Sequence, residues 1–242
     1  MKTIDLKGTK TRALLLGGVL IVGAGSAFAV AQVRHAPRDP ASMPEFRGTV
    51  VQYDLTPRGD VDGLILADGT EVHFPPHMGR DVQAAVRPGD AVTIRGEKSG
   101  PVLRAGSVAA SGGAPITDRG PPAGGPRPGG KPGDAPAMQA MEEVGTVKMA
   151  LHGPRGDLNG VLLHSGTIVH LPPKEAARLA DALKPGQAVA VRGEGVAGPA
   201  GRAIGARSFG PSMDKLVQLE ASQPPKGKPG VPPPPAPKPG AG

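Results

Sequence analysis

FRGTVVQYDLTPRGDVDGLILADGTEVHFPP, residues 46–76, and EVGTVKMALHGPRGDLNGVLLHSGTIVHLPP, residues 143–173, are one text written twice. Gly48–Thr49–Val50 returns as Gly145–Thr146–Val147, Pro57–Arg58–Gly59–Asp60 as Pro154–Arg155–Gly156–Asp157, and Val72–His73 as Val169–His170. Further on, Pro88–Gly89 and Arg95–Gly96–Glu97 return as Pro185–Gly186 and Arg192–Gly193–Glu194, all at one offset of 97 positions without a gap. Two copies so far apart mark a duplicated domain; a solenoid would repeat at a shorter period.

Within each copy the periodicity and the turn residues lay out the same elements. Phe46 to Asp54 reads as a strand, closed by the Pro57–Asp60 turn, in which Pro presets φ and Gly frees the backbone. Gly63 to Ala67 is a second strand and Thr70 to Phe74 a third, stopped by Pro75–Pro76, which cannot donate to a ladder. Taken as a two-residue hairpin loop, Asp68–Gly69 sets Ala67 opposite Thr70, Leu66 opposite Glu71 and Leu64 opposite His73. Met78, Val82, Ala85 and Val86 then recur at helical spacing, as Leu179, Ala182 and Leu183 do behind Pro173. Ala91 to Gly96 and Val102 to Ala109 complete the first copy, and a strand over Arg202 to Phe209 the second. The order β-β-β-α-β-β is that of a five-stranded OB-fold barrel, whereas an SH3-like barrel has no place for the helix. The expected class is mainly β, with two such barrels.

The pattern G-T-V, P-R-G-D-x-x-G, G-T-x-V-H-x-P-P and P-G-x-x-V-x-x-R-G, carried by residues 46–110 and 144–210, resembles a group of uncharacterised exported bacterial OB-fold proteins. The resemblance implies the barrel fold, and with it the nucleic-acid-binding description that the fold name brings. Fold does not by itself decide function.

Around the modules the composition changes. Thirty-eight Gly and 30 Pro in 242 residues exceed globular usage, so much of the length is expected to be linker and tail. Residues 30–45 and 111–143 read as Pro/Gly linkers, residues 211–221 as a short amphipathic helix built on Met213, Leu216, Val217 and Leu219, and residues 222–242 as a proline-rich disordered tail. The N-terminus is a basic leader followed by an uncharged run, Ala13 to Val33, ending in Ala27–Phe28–Ala29. Residues 1–29 are therefore expected to be a signal peptide cut after Ala29. The alternative is an uncleaved inner-membrane anchor over 13–33, since ~20 apolar residues span a bilayer. Either way the modules are expected outside the cytoplasm, periplasmic or secreted, with a membrane contact only in the anchored form.

The formal charge is +7, unevenly placed: +3 in residues 1–33, −1 in 34–110, −1 in 111–143, +3 in 144–220 and +3 from 221 on. A basic groove with aromatic platforms is what an OB-fold needs to hold single strands. Here the chain has no Trp, one Tyr and four Phe, and Tyr53 has Ala150 as its counterpart in the second copy. No cysteine is present, which removes disulfides, thiolate chemistry and Cys-ligated zinc. There is no phosphate loop, no HExxH motif and no serine constellation repeated between copies, so the reading is non-catalytic, with no cofactor and no metal. His73 and His77 are four apart, but Pro75–Pro76 breaks any shared helical face and position 77 becomes Lys174.

Among the polar residues kept in both copies, beside Arg95 and Arg192, are Arg58, Asp60, His73, Arg155, Asp157 and His170. The strand-three histidines alternate with inward Val72, Phe74 and Val169, which puts them on the outer face of strands two and three, where OB-folds take ligands; the Arg–Asp turns are another recurrent ligand loop. These six are the candidate ligand-binding residues. They also have plain structural uses, in fixing a turn or bonding a neighbouring backbone group. Val161, Leu163 and Ile168 are expected around His170, an apolar patch that marks an interface if exposed. The resulting expectation is a binding or envelope-structural protein taking an envelope protein or a small ligand, with single-stranded nucleic acid as the alternative.

Overall fold

A five-stranded barrel that closes needs its third strand to reach its fifth, and both repeats meet that condition. The computed structural model describes residues 40–120 and 137–220. In the first module β1 (Glu45–Leu55), β2 (Val61–Leu66), β3 (Glu71–His73), β4 (Ala91–Ser99) and β5 (Val102–Ala110) are joined in the circuit β1-β2-β3-β5-β4-β1. Every pairing is antiparallel except β3 with β5. A 3-10 turn, Pro76–Met78, and α1 (Gly79–Ala85) bridge β3 and β4. After β5 the chain turns back as β6 (Ile116–Thr117). The second module repeats the circuit with β7 (Gln139–His152), β8 (Leu158–Leu163), β9 (Thr167–His170), α2 (Pro173–Arg178), β10 (Ala188–Gly198) and β11 (Gly201–Gly210), with β12 (Val217–Gln218) added at the edge. Each module is an OB-fold barrel. The proposed signal or anchor segment, most of the central linker and the tail from 221 on lie outside the described residues.

The cores are aliphatic, as the composition requires. Leu64, Val72, Ile94, Val108, Met78 and Val82 are buried in the first, and Val147, Val161, Leu163, Val169, Val191, Ile204, Leu183 and Phe209 in the second. Tyr53, the one tyrosine, donates from its hydroxyl to the Val86 carbonyl at 2.6 Å and so ties the end of α1 to β1. Burying each large aliphatic or aromatic side chain contributes ~1.5–3 kcal/mol.

The β2–β3 register differs from the sequence expectation by one residue. Leu66 N–H bonds to the Thr70 carbonyl and Gly69 N–H to the Leu66 carbonyl, each at 3.0 Å, so the loop is Ala67–Asp68–Gly69, with Gly69 at φ +83°. Asp68 holds it by accepting from the Thr70 N–H and hydroxyl, both at 2.9 Å. Gly63 now faces His73, Leu64 faces Val72 and Ile65 faces Glu71. A one-residue slip exchanges cross-strand partners between faces. The outer face of β2–β3 is therefore Ile65, Glu71 and His73, and that of β8–β9 is Leu162, Ile168 and His170. Val161 and Leu163, expected outside, belong to the second barrel's buried core.

Two boundaries also move. Residues 116–117 and 139–143, read as linker, pair in the sheets. Over 211–220 the chain forms a 3-10 turn, Met213–Lys215, followed by β12, in place of the helix expected over 211–221. Val217 pairs with Phe209, Leu219 N–H bonds to the Arg207 carbonyl at 2.8 Å, and Leu219 is buried. A free ladder edge outcompetes a lone helical turn, which is costly to nucleate. β6 does the same in the first module, so the repeat extends past the segment legible in sequence.

The hairpin glycines carry this register. Replacing Gly69 or Gly166 (φ +86°) by Ala is expected to lower stability by ~1 kcal/mol or more in denaturant melts. Nothing lies within 4 Å of a Cβ built at Gly69, so backbone strain alone would be measured there.

Candidate functional site at the seam of the barrels

The two barrels fall within one compact unit, and the β2–β3 face of each is packed on the other. Leu162, Ile168, Leu151 and Ala203 of the second module belong to the same buried apolar cluster as the first module's core. The side chain of Leu55 lies 3.1 Å from a Cβ built at Gly201, and Pro57 lies 3.3 Å from one at Gly205, so β1 and its turn rest against β11. The β10–β11 hairpin helps: β10 runs 11 residues against nine for β4, and Ala200 at its tip packs on the first module's cluster.

Both candidate histidines point into this seam. His73 Nε2 lies 2.9 Å from the carbonyl oxygen of His152, and His170 Nε2 lies 2.6 Å from that of Leu55. A carbonyl only accepts, so each ring donates through Nε2 and that tautomer is fixed. The outer-face placement read from the sequence is retained, but the face is covered: His73 is 6 % exposed. Burial pushes both imidazoles below their ordinary 6.5; the backbone bonds pull the other way.

Acidic groups lie on the His73 side of the seam. Glu71, 1 % exposed, accepts from the His152 backbone N–H at 2.6 Å and from His152 Nδ1 at 2.8 Å. Burial raises the Glu71 pKa, opposed by those bonds. Asp54 is driven well above the usual carboxylate range by burial first and then by the charges of Asp62 and Glu71. Its Oδ2 is 3.9 Å from His73 Nδ1, beyond hydrogen-bond range, and neither Asp54 Oδ1 nor His73 Nδ1 has a hydrogen-bond partner among the described residues. Asp62 is raised to about 6, also chiefly by burial.

The Arg–Asp turns sit apart from the histidines. Thr56 N–H bonds to the Asp60 carbonyl and Gly59, at φ +87°, bonds back to Thr56; Gly153, Gly156 and Asp157 repeat the arrangement. Arg58, Asp60, Arg155 and Asp157 are exposed, with Arg155 4.0 Å from Asp157. Arg58 and Arg155 each lie three residues beyond a seam carbonyl, that of Leu55 or of His152, and are exposed, while the imidazoles are inside the seam. A cleft of about 450 Å³ is lined by both modules, with Gln52, Leu55, Ser165, Thr167, Gly201 and Arg202 on its walls and no residue of either Arg–Asp turn among them. Sequence reasoning missed Glu71, Asp54 and His152. None of the three is repeated as the same residue in the other copy, and a search for shared polar residues passes over them. His77 Nε2 lies 3.0 Å from Asp118 Oδ1.

No family model matches the chain, and no curated protein does. Among solved structures it is similar to the wild-type single-stranded DNA binding protein from Thermus aquaticus at 15 % identity, covering 74 % of this chain and 97 % of that one, with a TM-score of 0.23. A deletion mutant of that protein gives 16 %, 75 %, 96 % and 0.21. At that level the likeness adds nothing to the strand circuit already described.

The linkage signs oppose one another. Histidines held below 6.5 stabilise the fold above that pH, and the contribution is lost as pH falls through their unfolded value. Asp62, held up at about 6, favours the fold at low pH, and its contribution is lost as pH rises from about 4 towards 6. Converting His73 and His170 together to Gln keeps a donor and removes the titration. The double variant is expected to be less stable than wild type by ~1–3 kcal/mol near neutrality, with the gap narrowing as pH falls from about 7 to 5. Parallel urea melts across that range measure it.

Proposed function

We propose that this chain is an exported, non-catalytic binding protein whose working unit is the fused pair of barrels, and that it takes a protein segment or small ligand at the rim of the seam. The observation that carries this reading is the pairing of the two β2–β3 faces. The usual OB ligand face is used internally, its histidines are spent on carbonyls of the sister module, and the two exposed Arg-bearing turns, together with a cleft lined by both modules, are left open. Export is supported by the basic leader, the apolar run and Ala27–Phe28–Ala29.

A second reading, single-stranded oligonucleotide, is favoured by charge: residues 144–220 carry +3 and the tail from 221 another +3. Against it, Tyr53, Phe74 and Phe209 are buried, which leaves them unable to stack on bases.

Arg58 and Arg155 are exposed, so alanine at both should leave stability within ~0.5 kcal/mol. Affinity capture from an envelope extract is expected to lose its specific partner in the R58A/R155A variant, and undiminished capture would remove the rim from consideration. An amide NMR titration with a single-stranded oligonucleotide separates the second reading. Salt-resistant shifts on the barrels would establish it; shifts confined to the lysines of the tail and lost with salt would mark non-specific attraction.

A further inference from the structure

The seam is reciprocal. His73 bonds to the carbonyl of residue 152 and His170 to that of residue 55, and both pairs interchange under the 97-residue offset of the repeat. Residue i of one module meets j of the other while j of the first meets i of the second, which is the signature of an isologous two-fold interface. Two positions break the symmetry together. The exchange that maps one histidine bond onto the other maps the Glu71–His152 pair onto Ile168 and Leu55. On one side of the pseudo-axis the seam is closed by a buried carboxylate and its two donors. On the other side both residues lie in one buried apolar cluster.

We propose that Glu71 and His152, set against Leu55 and Ile168, form a pairing key that makes each barrel's seam face fit the other module and reject a copy of itself. A first module on a first module places Glu71 opposite Leu55 twice, burying two carboxyl groups without the ring donor that His152 supplies. A second module on a second module places His152 opposite Ile168 twice. Leaving a buried charged or polar group unpartnered costs far more than exchanging one satisfied pair for another, so the matched arrangement gains its selectivity from the mismatched ones. The histidine–carbonyl bonds are common to all three pairings and do not discriminate.

The test uses the full chain with a protease site inserted between residues 121 and 136, cleaved after folding. Cleaved wild-type protein made in light and isotopically heavy forms is mixed, left to exchange and read by native mass spectrometry. Only unlike pairs are expected, and like pairs at statistical proportion would overturn the proposal without any mutation. His152→Leu removes the ring donor from Glu71, and the cleaved halves are expected to bind at least tenfold more weakly, a loss of the size of one hydrogen bond to a charged group. Adding Glu71→Ile makes the seam apolar on both sides. The double variant is expected to recover affinity to within about threefold of wild type and to form first-module pairs that wild type does not. Losses that simply add, or a double variant that restores affinity yet still excludes like pairs, would contradict the key.

Discussion

The structure depends on two hydrogen bonds that cross from one barrel to the other, His73 to the carbonyl of His152 and His170 to the carbonyl of Leu55. The acceptors are the backbone groups that end β1 and β7, next to the turns that start β2 and β8. A bond to a strand terminus fixes the position of a whole barrel where a bond to a mobile side chain would fix little. The bonds are short and largely shielded from water, and losing one costs the desolvation of the groups it leaves unpaired. Leu162, Ile168, Leu55 and Ala203 supply the apolar area around them. The first module's modest core is thereby enlarged by Leu151, Leu162, Ile168 and Ala203 of the second, which suits a chain with little aromatic surface to bury.

That seam also determines what the surface can do. An OB barrel ordinarily offers its β2–β3 face to ligands. Here the two faces offer themselves to each other, and the titratable groups they bring along, Asp54, Glu71, His73, His152 and His170, face protein. Arg58 and Arg155, exposed polar groups of the repeat, stand outside the seam, each three residues beyond a seam carbonyl.

The strand order, the helix between the third and fourth strands and the duplication were all legible in the sequence, because proline, glycine and the period-two pattern act locally. The register of β2 on β3 was not. Asp68–Gly69 reads as a two-residue loop, but Gly69 sits at the third position of a three-residue one, and φ > 0 is required in either case. A signal for the seam was present in Leu64–Ile65–Leu66 and Val161–Leu162–Leu163. Three consecutive apolar residues on a strand mean that both faces are covered. Val161 and Leu163 face the core, and Leu162 is the residue that required a covering partner. The Glu71–His152 pair was beyond reach, since it joins positions 81 apart and each has an apolar counterpart in the other copy.

The central claim, that the barrels form one body through these faces, is tested most directly by residual dipolar couplings of the backbone amides of both modules in one weakly aligned sample. The account predicts that a single alignment tensor fits residues 45–110 and 139–210 together. Two tensors of different magnitude or orientation would show barrels that tumble separately, and would contradict it.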